Sequence, residues 1–419
     1  MKLRFYLLIF TILASVSFFD PGHRLDGPIG KLLFYMSVVT CLFVALKDGV
    51  SLRGVRYPRW AYAFIIGGIA VSVLMASAFH MQTFTESVTT TMPYMLAYLM
   101  FFVLMRFDIP TERLMKAYMV LCACAAVVYF INLATMPFNI FGRPMFDADD
   151  ARGILRLPLV FVEFFPVILF YAINRWLLDG KFKWLFLAGG TSLMIVLSVI
   201  RQVIGLSALL GLWFILKRAN TKIRIGIIAL VVAFGLFVLP RIPMYQAMME
   251  LTEKQADDNT EEEDIRITAW RYYTYDNQTN TLSSIFGNGM PALGVSRWGI
   301  IMDAETLDQG VFWVDVGWAG FYWLFGAFST IGLLALMFTA IFRRKPPQEQ
   351  FLTYSLIFYF VTSFASGPPV IYWQIVGIMV VLYMVYRKKD SAPENDTQQI
   401  SSNSNNTEYA GDRPHYPQL

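Results

Sequence analysis

Apolar runs of roughly twenty residues recur along the whole chain, and short segments carrying lysine or arginine close them at alternate ends. A helix rising 1.5 Å per residue needs about 20 residues to cross about 30 Å of hydrocarbon, and inside lipid its backbone groups must be satisfied within the segment. Composition excludes an ordinary soluble domain. Hydrophobic residues make up 56% of the chain and charged residues 15%, against about a quarter charged in soluble proteins. Mean hydropathy is +0.51. The expected fold is an all-α polytopic membrane protein with about 12 transmembrane helices.

The spans are expected near residues 5–19, 31–46, 60–79, 91–106, 114–134, 157–178, 184–200, 202–216, 223–239, 311–342, 351–365 and 370–386. Their direction follows from loop charge, because Lys and Arg in short loops collect on the cytoplasmic side. The segments Lys2 to Arg4, Lys47 to Arg59, Arg106 to Lys116, Arg175 to Lys183, Lys217 to Arg224, Arg343 to Lys345 and Arg387 to Lys389 hold 22 of the 34 basic residues. With twelve spans all of them share one side. Both termini are then cytoplasmic, and the polar stretch 240–310, between spans nine and ten, is outside. Residues 1–389 are read as the transmembrane domain, with 240–310 as an extracytoplasmic catalytic loop. Residues 390–419, rich in Ser, Asn and Gln without apolar periodicity, are expected as a disordered cytoplasmic tail.

The run from Trp184 to Leu216 is 33 residues long. As one helix it would extend about 50 Å, too long for a single crossing. Cationic loops flank both of its ends, so it is expected to be a hairpin with Arg201 at the outer tip. Ser366-Gly367-Pro368-Pro369 supplies the turn for a second hairpin over 351–386. Cys41, Cys122 and Cys124 lie inside apolar runs and suggest packing rather than a disulfide framework or a metal knuckle. The N-terminus is expected as an uncleaved first span, although Ala14-Ser15-Val16-Ser17 is small enough for signal cleavage. No internal repeat is visible.

Charges at membrane depth are costly and point to function. Arg201 has two readings, a snorkelling side chain or a planar fork for phosphate oxygens. Glu163, set in Val162-Glu163-Phe164, is read equally as a structural partner of a nearby arginine or as a catalytic carboxylate. In the loop Gly142 to Arg156, Asp147-Ala148-Asp149 invites a metal-assisted reading, but such a pair arises easily in a solvated loop and no metal is expected. The acidic run 257–264 reads as a lead-in to a helix starting near Ile265. On that helix Arg266 and Arg271 face different ways. Phe286-Gly287-Asn288-Gly289 is a turn in which backbone can approach a ligand, or a plain loop corner.

Taken in order, Leu197-Ser198-Val199-Ile200-Arg201, the Arg-x-x-x-Trp element Arg266 to Trp270, Gly287-Asn288-Gly289, and Asp315-Val316-Gly317 with Gly326 and Gly332 resemble the O-antigen polymerase and O-antigen ligase superfamily of bacterial envelope polysaccharide enzymes. The resemblance covers residues 193–332 and the span count. It implies a glycosyltransferase of the bacterial inner membrane that joins polyprenyl (undecaprenyl) diphosphate-linked oligosaccharides on the outer face, without nucleotide or other cofactor. It also implies work beside a flippase and a chain-length regulator, in contact with membrane lipid and without nucleic acid. By the same resemblance Arg201 and Arg266 hold the diphosphate, and Arg271, Arg152 and Arg156 join the substrate-binding set. The ligases commonly carry a His where this chain has Asp315, which favours a polymerase and makes Asp315 the first candidate base, with Glu163 second and Arg266 completing the catalytic set. The rival class is a transporter or flippase of lipid-linked oligosaccharide. Transporters tend to show paired broken helices and repeated halves, and the sequence signals neither.

Overall fold

The computed structural model describes residues 2–16, 18, 28–52, 55–135, 159, 161–222, 224–226, 229, 241, 246, 265–278 and 280–387. Among these residues every regular element is helical: α1 (Lys2–Ser15), α2 (Pro28–Asp48), α3 (Arg59–Phe79), α4 (Phe84–Phe107), α5 (Thr111–Ala134), α6 (Phe164–Asp179), α7 (Phe182–Leu197), α8 (Arg201–Arg218), α9 (Ile265–Arg271), α10 (Thr281–Phe286), α11 (Arg297–Gln309), α12 (Gly317–Phe342), α13 (Phe351–Thr362) and α14 (Tyr372–Tyr386). Five of them, α2, α3, α4, α5 and α12, are long and apolar enough to cross a membrane. By length and composition they mark a multi-pass membrane protein. The tenth expected span is shorter than its apolar run, because Trp313–Asp315 forms a 3-10 turn and the helix starts at Gly317. The 33-residue run is divided by a turn at residues 198–200 into α7 and α8, with Arg201 the first residue of α8.

One end of the bundle is clamped by arginines. Arg106 Nε donates to Ala45 O at 3.0 Å, Arg343 Nη1 donates to Arg56 O at 2.9 Å, and Arg387 pairs with Asp108 at 3.7 Å. Arg4 also donates to Asp48 O. These contacts gather the start of α1, the ends of α2, α4, α12 and α14, and the residues before α3. Orphan carbonyls at helix C-termini accept from guanidinium groups there, which also suits the negative end of the helix dipole.

Helices α3 and α12 pack closely through small residues. A Cβ on Gly68 would collide with Ser329 Oγ, and one on Gly332 would meet Ala61 O at 2.5 Å. Close backbone approach of this kind is how apolar helices gain contact when lipid offers no hydrophobic drive.

Midway along α12 the helix breaks. Gly326 has φ 77° and ψ 175°, a conformation open to glycine and strained for other residues. The turn after α10 fills the gap: Asn288 N donates to Trp323 O and Gly289 N to Leu324 O, both at 2.9 Å. Irregular backbone at this depth is tolerated where protein buries it and takes up the freed groups. A broken helix is thus present where the sequence signalled none. Its cause is the close fit of two glycines far apart in the chain: a Cβ on Gly326 would fall on Gly287 N, and one on Gly287 on the backbone of Leu324 and Phe325.

Candidate active site

The segment from Ile265 to Val316 caps the end of the bundle opposite the arginine clamps. Three polar groups pin it to α4 and to the turn between α3 and α4. Buried Gln82 donates from Nε2 to Met290 O at 3.0 Å and accepts at Oε1 from Ala292 N at 2.9 Å and Ser296 Oγ at 3.0 Å. Thr90 Oγ1 adds a bond to Met290 O at 3.2 Å. His80 Nε2 and Asn288 Oδ1 lie 3.0 Å apart, and the imidazole stacks on Trp298 at 4.2 Å. Burial lowers the His80 pKa and the Asn288 contact opposes that shift. The neutral ring is therefore favoured, and it donates to the amide oxygen. Thr83 and Glu86 close a capping box at the start of α4 with bonds of 3.3 and 2.8 Å, worth about 1 kcal/mol.

An aromatic core holds the rest of the cap. Trp323 touches Trp298, Trp313 and Tyr273 at centroid distances of 6.0, 6.0 and 5.2 Å. Its indole Nε1 donates to Asn277 O at 2.9 Å, and Tyr273 Oη donates to Val311 O at 3.1 Å. Such pairs add about 0.5–1.5 kcal/mol each beyond area burial. The cap is a packed layer on the bundle.

On that layer the structure brings Arg266 and Asp315 into electrostatic reach. Asp315 is exposed at its edge, yet partial burial of the carboxylate raises its pKa, while the Arg266 guanidinium pulls it back down. Arg266 and Trp270 are four apart on α9 and share a face. Trp270 anchors that face to the end of the α13 hairpin, stacking on Phe364 at 5.9 Å and donating from Nε1 to Phe364 O at 2.8 Å. Gly317 N and Trp318 N donate to Ser366 O and Ser363 O at 3.0 and 2.9 Å, which fixes the Asp315 turn to the same hairpin. Arg271 faces elsewhere and pairs with Asp276 at 3.5 Å on the surface, a contact of small energy.

No family model matches the chain, and no curated protein matches it either.

The remaining expected site residues are scattered or lie outside the described residues. Arg201 is exposed at the start of α8, two residues after Val199, whose φ of 55° is rare for a β-branched residue. Strain of this sort costs about 1–3 kcal/mol and gathers at functional positions. Glu163 shows the same arrangement, two residues after Phe161 with φ 60°. Its carboxylate accepts from Gln374 Nε2, and its carbonyl accepts from Tyr359 Oη at 3.1 Å. The expected arginine partner of Glu163 is thus replaced by a glutamine from α14. Arg152, Arg156, Asp147, Asp149 and the acidic run 257–264 lie outside the described residues. Of the cysteines, Cys41 and Cys122 are buried, as packing residues should be, and Cys124 is exposed.

His80, Gln82 and Asn288 were not singled out as individual residues by sequence reasoning. The one available signal was a polar His-Met-Gln-Thr step at the end of an apolar run, and its partners lie more than 200 positions away. The Gly287 to Gly289 turn proves to approach α3 and α12 backbone, since a Cβ on Gly289 would meet Ser72 O at 2.5 Å.

Proposed function

We propose that the protein is a membrane glycosyltransferase that lengthens or ligates glycans carried on polyprenyl diphosphate at the outer face of the bacterial inner membrane. The observation that carries this reading is the juxtaposition of Arg266 with Asp315 on a cap remote from the arginine-clamped end. In the reaction the acceptor oxygen bonds to the anomeric carbon as the bond from that carbon to the diphosphate oxygen breaks. The electron pair leaves with the diphosphate. Arg266 and Arg201 stabilise the charge that develops there. Asp315 takes the acceptor hydroxyl's proton, with Glu163 as the second candidate. Arg271, Arg152 and Arg156 would widen the anionic donor's binding surface.

Three tests belong to this reading. Twelve spans with cytoplasmic termini and an external 240–310 loop require that a reporter active only outside the cytoplasm work when fused near Asn277 and stay silent near Lys345; the reverse pattern removes the topology. Arg201→Lys should lose most activity with its charge kept, because an ammonium cannot supply a two-pronged contact to phosphate oxygens. Full polymer length in that variant would reduce Arg201 to a snorkelling residue. Activity should also survive chelation, since arginines neutralise the leaving group. Loss restored by magnesium or manganese would bring back Asp147 and Asp149 as ligands.

The discontinuity at Gly326 favours one second reading, a transporter or flippase of lipid-linked oligosaccharide, because transporters build sites on broken helices. Against it, the freed Trp323 and Leu324 carbonyls are taken up by Asn288 and Gly289 rather than left for a substrate.

A further inference from the structure

Helix α11 has two apolar faces. One is packed inward, with Trp298, Met302 and Thr306 buried at helical spacing. The other points out: Ile300, Ala304 and Leu307 follow the i, i+4, i+7 pattern, and all are exposed. Leu307 is 64% exposed, and Val295 in the turn before the helix is 68% exposed. A water-facing surface of a cap would carry polar residues at these positions, so something apolar covers them.

The surroundings indicate what that is. The turn holding Val295 is fixed to Gln82 through Ala292 and Ser296, which sets it beside Met81 and Phe84, both strongly exposed where α3 meets α4. Those two residues continue the exposed apolar surface of α3, which includes Leu74 and Phe79 and belongs to a membrane-length helix. The outward face of α11 is therefore continuous with the lipid-facing belt. The helix carries Arg297 against Asp303, Glu305 and Asp308 and is net acidic, which disfavours an anionic lipid surface and fits a zwitterionic one.

We propose that the turn at Leu293 to Val295 and the outward face of α11 lie in the outer part of the bilayer, so that the cap is an interfacial element whose apolar side chains enter the acyl boundary. Amphipathic helices of this kind insert about 5–10 Å below the headgroups. The inference rests on the multi-pass fold and not on the proposed chemistry. It would hold equally for a transporter.

The test uses the full chain in phosphatidylcholine vesicles. Val295→Cys and Leu307→Cys carry an environment-sensitive fluorophore, with Gln309→Cys as a water-facing control and the labelled unmodified protein as background for Cys124. Positions 295 and 307 should emit at shorter wavelength than 309, lose most of their emission in bromine-substituted lipid and resist aqueous iodide. Quenching of both by iodide, with no effect of bromolipid, would overturn the proposal. Protection from both quenchers, varying with protein-to-lipid ratio, would overturn it in favour of a second copy of the chain. Should the cysteine variants fold poorly, the unmodified protein is photolabelled with a membrane-partitioned diazirine: modification within 293–307 is expected, and its absence alongside labelling of α3 contradicts the proposal.

Discussion

Asp315→Asn is expected to lower glycan lengthening by roughly 10²- to 10⁴-fold, the range a positioned general base contributes. The substitution keeps size and shape and removes only the ability to take a proton. Donor binding should stay near normal, because arginines rather than the carboxylate hold the diphosphate. A pH profile adds a second readout. Burial raises the Asp315 pKa above its ordinary 3.8, with Arg266 opposing the shift. The base works only when deprotonated, so wild-type rate should fall as pH drops through that raised value, and the limb should vanish in the variant. If Asp315 instead serves as counter-charge for Arg266, the variant leaves that guanidinium without its carboxylate, and folding yield and donor affinity fall together. Normal yield, binding and turnover would remove both roles from Asp315 and pass the question to Glu163.

Gly326→Ala is expected to abolish folded protein in detergent extracts. At φ 77° a side chain is strained by about 1–3 kcal/mol. Its Cβ would also lie inside contact distance of Gly287 N, Ile285 O and the Phe286 carbonyl carbon. Relief requires the turn to withdraw, which breaks the bonds from Asn288 and Gly289 to Trp323 O and Leu324 O. Each buried carbonyl left unpaired costs about 1–3 kcal/mol. The sum approaches the whole stability of a typical domain, about 5–15 kcal/mol. Gly189→Ala in α7 is the control, since nothing lies within 4 Å of its Cβ position. Size-exclusion profiles and thermal melts of the two variants should diverge sharply. A monodisperse Gly326→Ala protein melting like wild type would mean that α12 can run unbroken.

The long apolar helices were legible in the sequence because each is a local pattern, whereas α10 and α11 lie in a stretch that reads as loop. An apolar run declares its length, and loop arginines declare its ends; Arg106, Arg343 and Arg387 then appear as clamps on one end of the bundle. Arg266 and Trp270 were legible as one face because four residues make about one helical turn. The cap's attachment was not legible. His80 finds Asn288, Gln82 finds Met290 and Glu163 finds Gln374 across separations of 208, 208 and 211 residues, and no local pattern specifies such partners. The break in α12 was hidden for the same reason. Gly326 sits in an apolar run that reads as continuous helix, and its unusual φ is imposed by a glycine turn from another part of the chain. Asp315 drew notice only through the resemblance, at the place where the ligases carry a His, and only the fold sets Arg266 beside it.

Purified protein mixed with a polyprenyl diphosphate-linked repeat unit, without nucleotide, puts the central claim to its most direct test. Chromatography of the glycan should show units joined into longer chains, with one polyprenyl diphosphate released for each bond formed, and Arg266→Ala should stop both. Unchanged glycan length, together with movement of the intact lipid-linked unit from one leaflet of a vesicle to the other, would contradict the enzyme and leave the transporter.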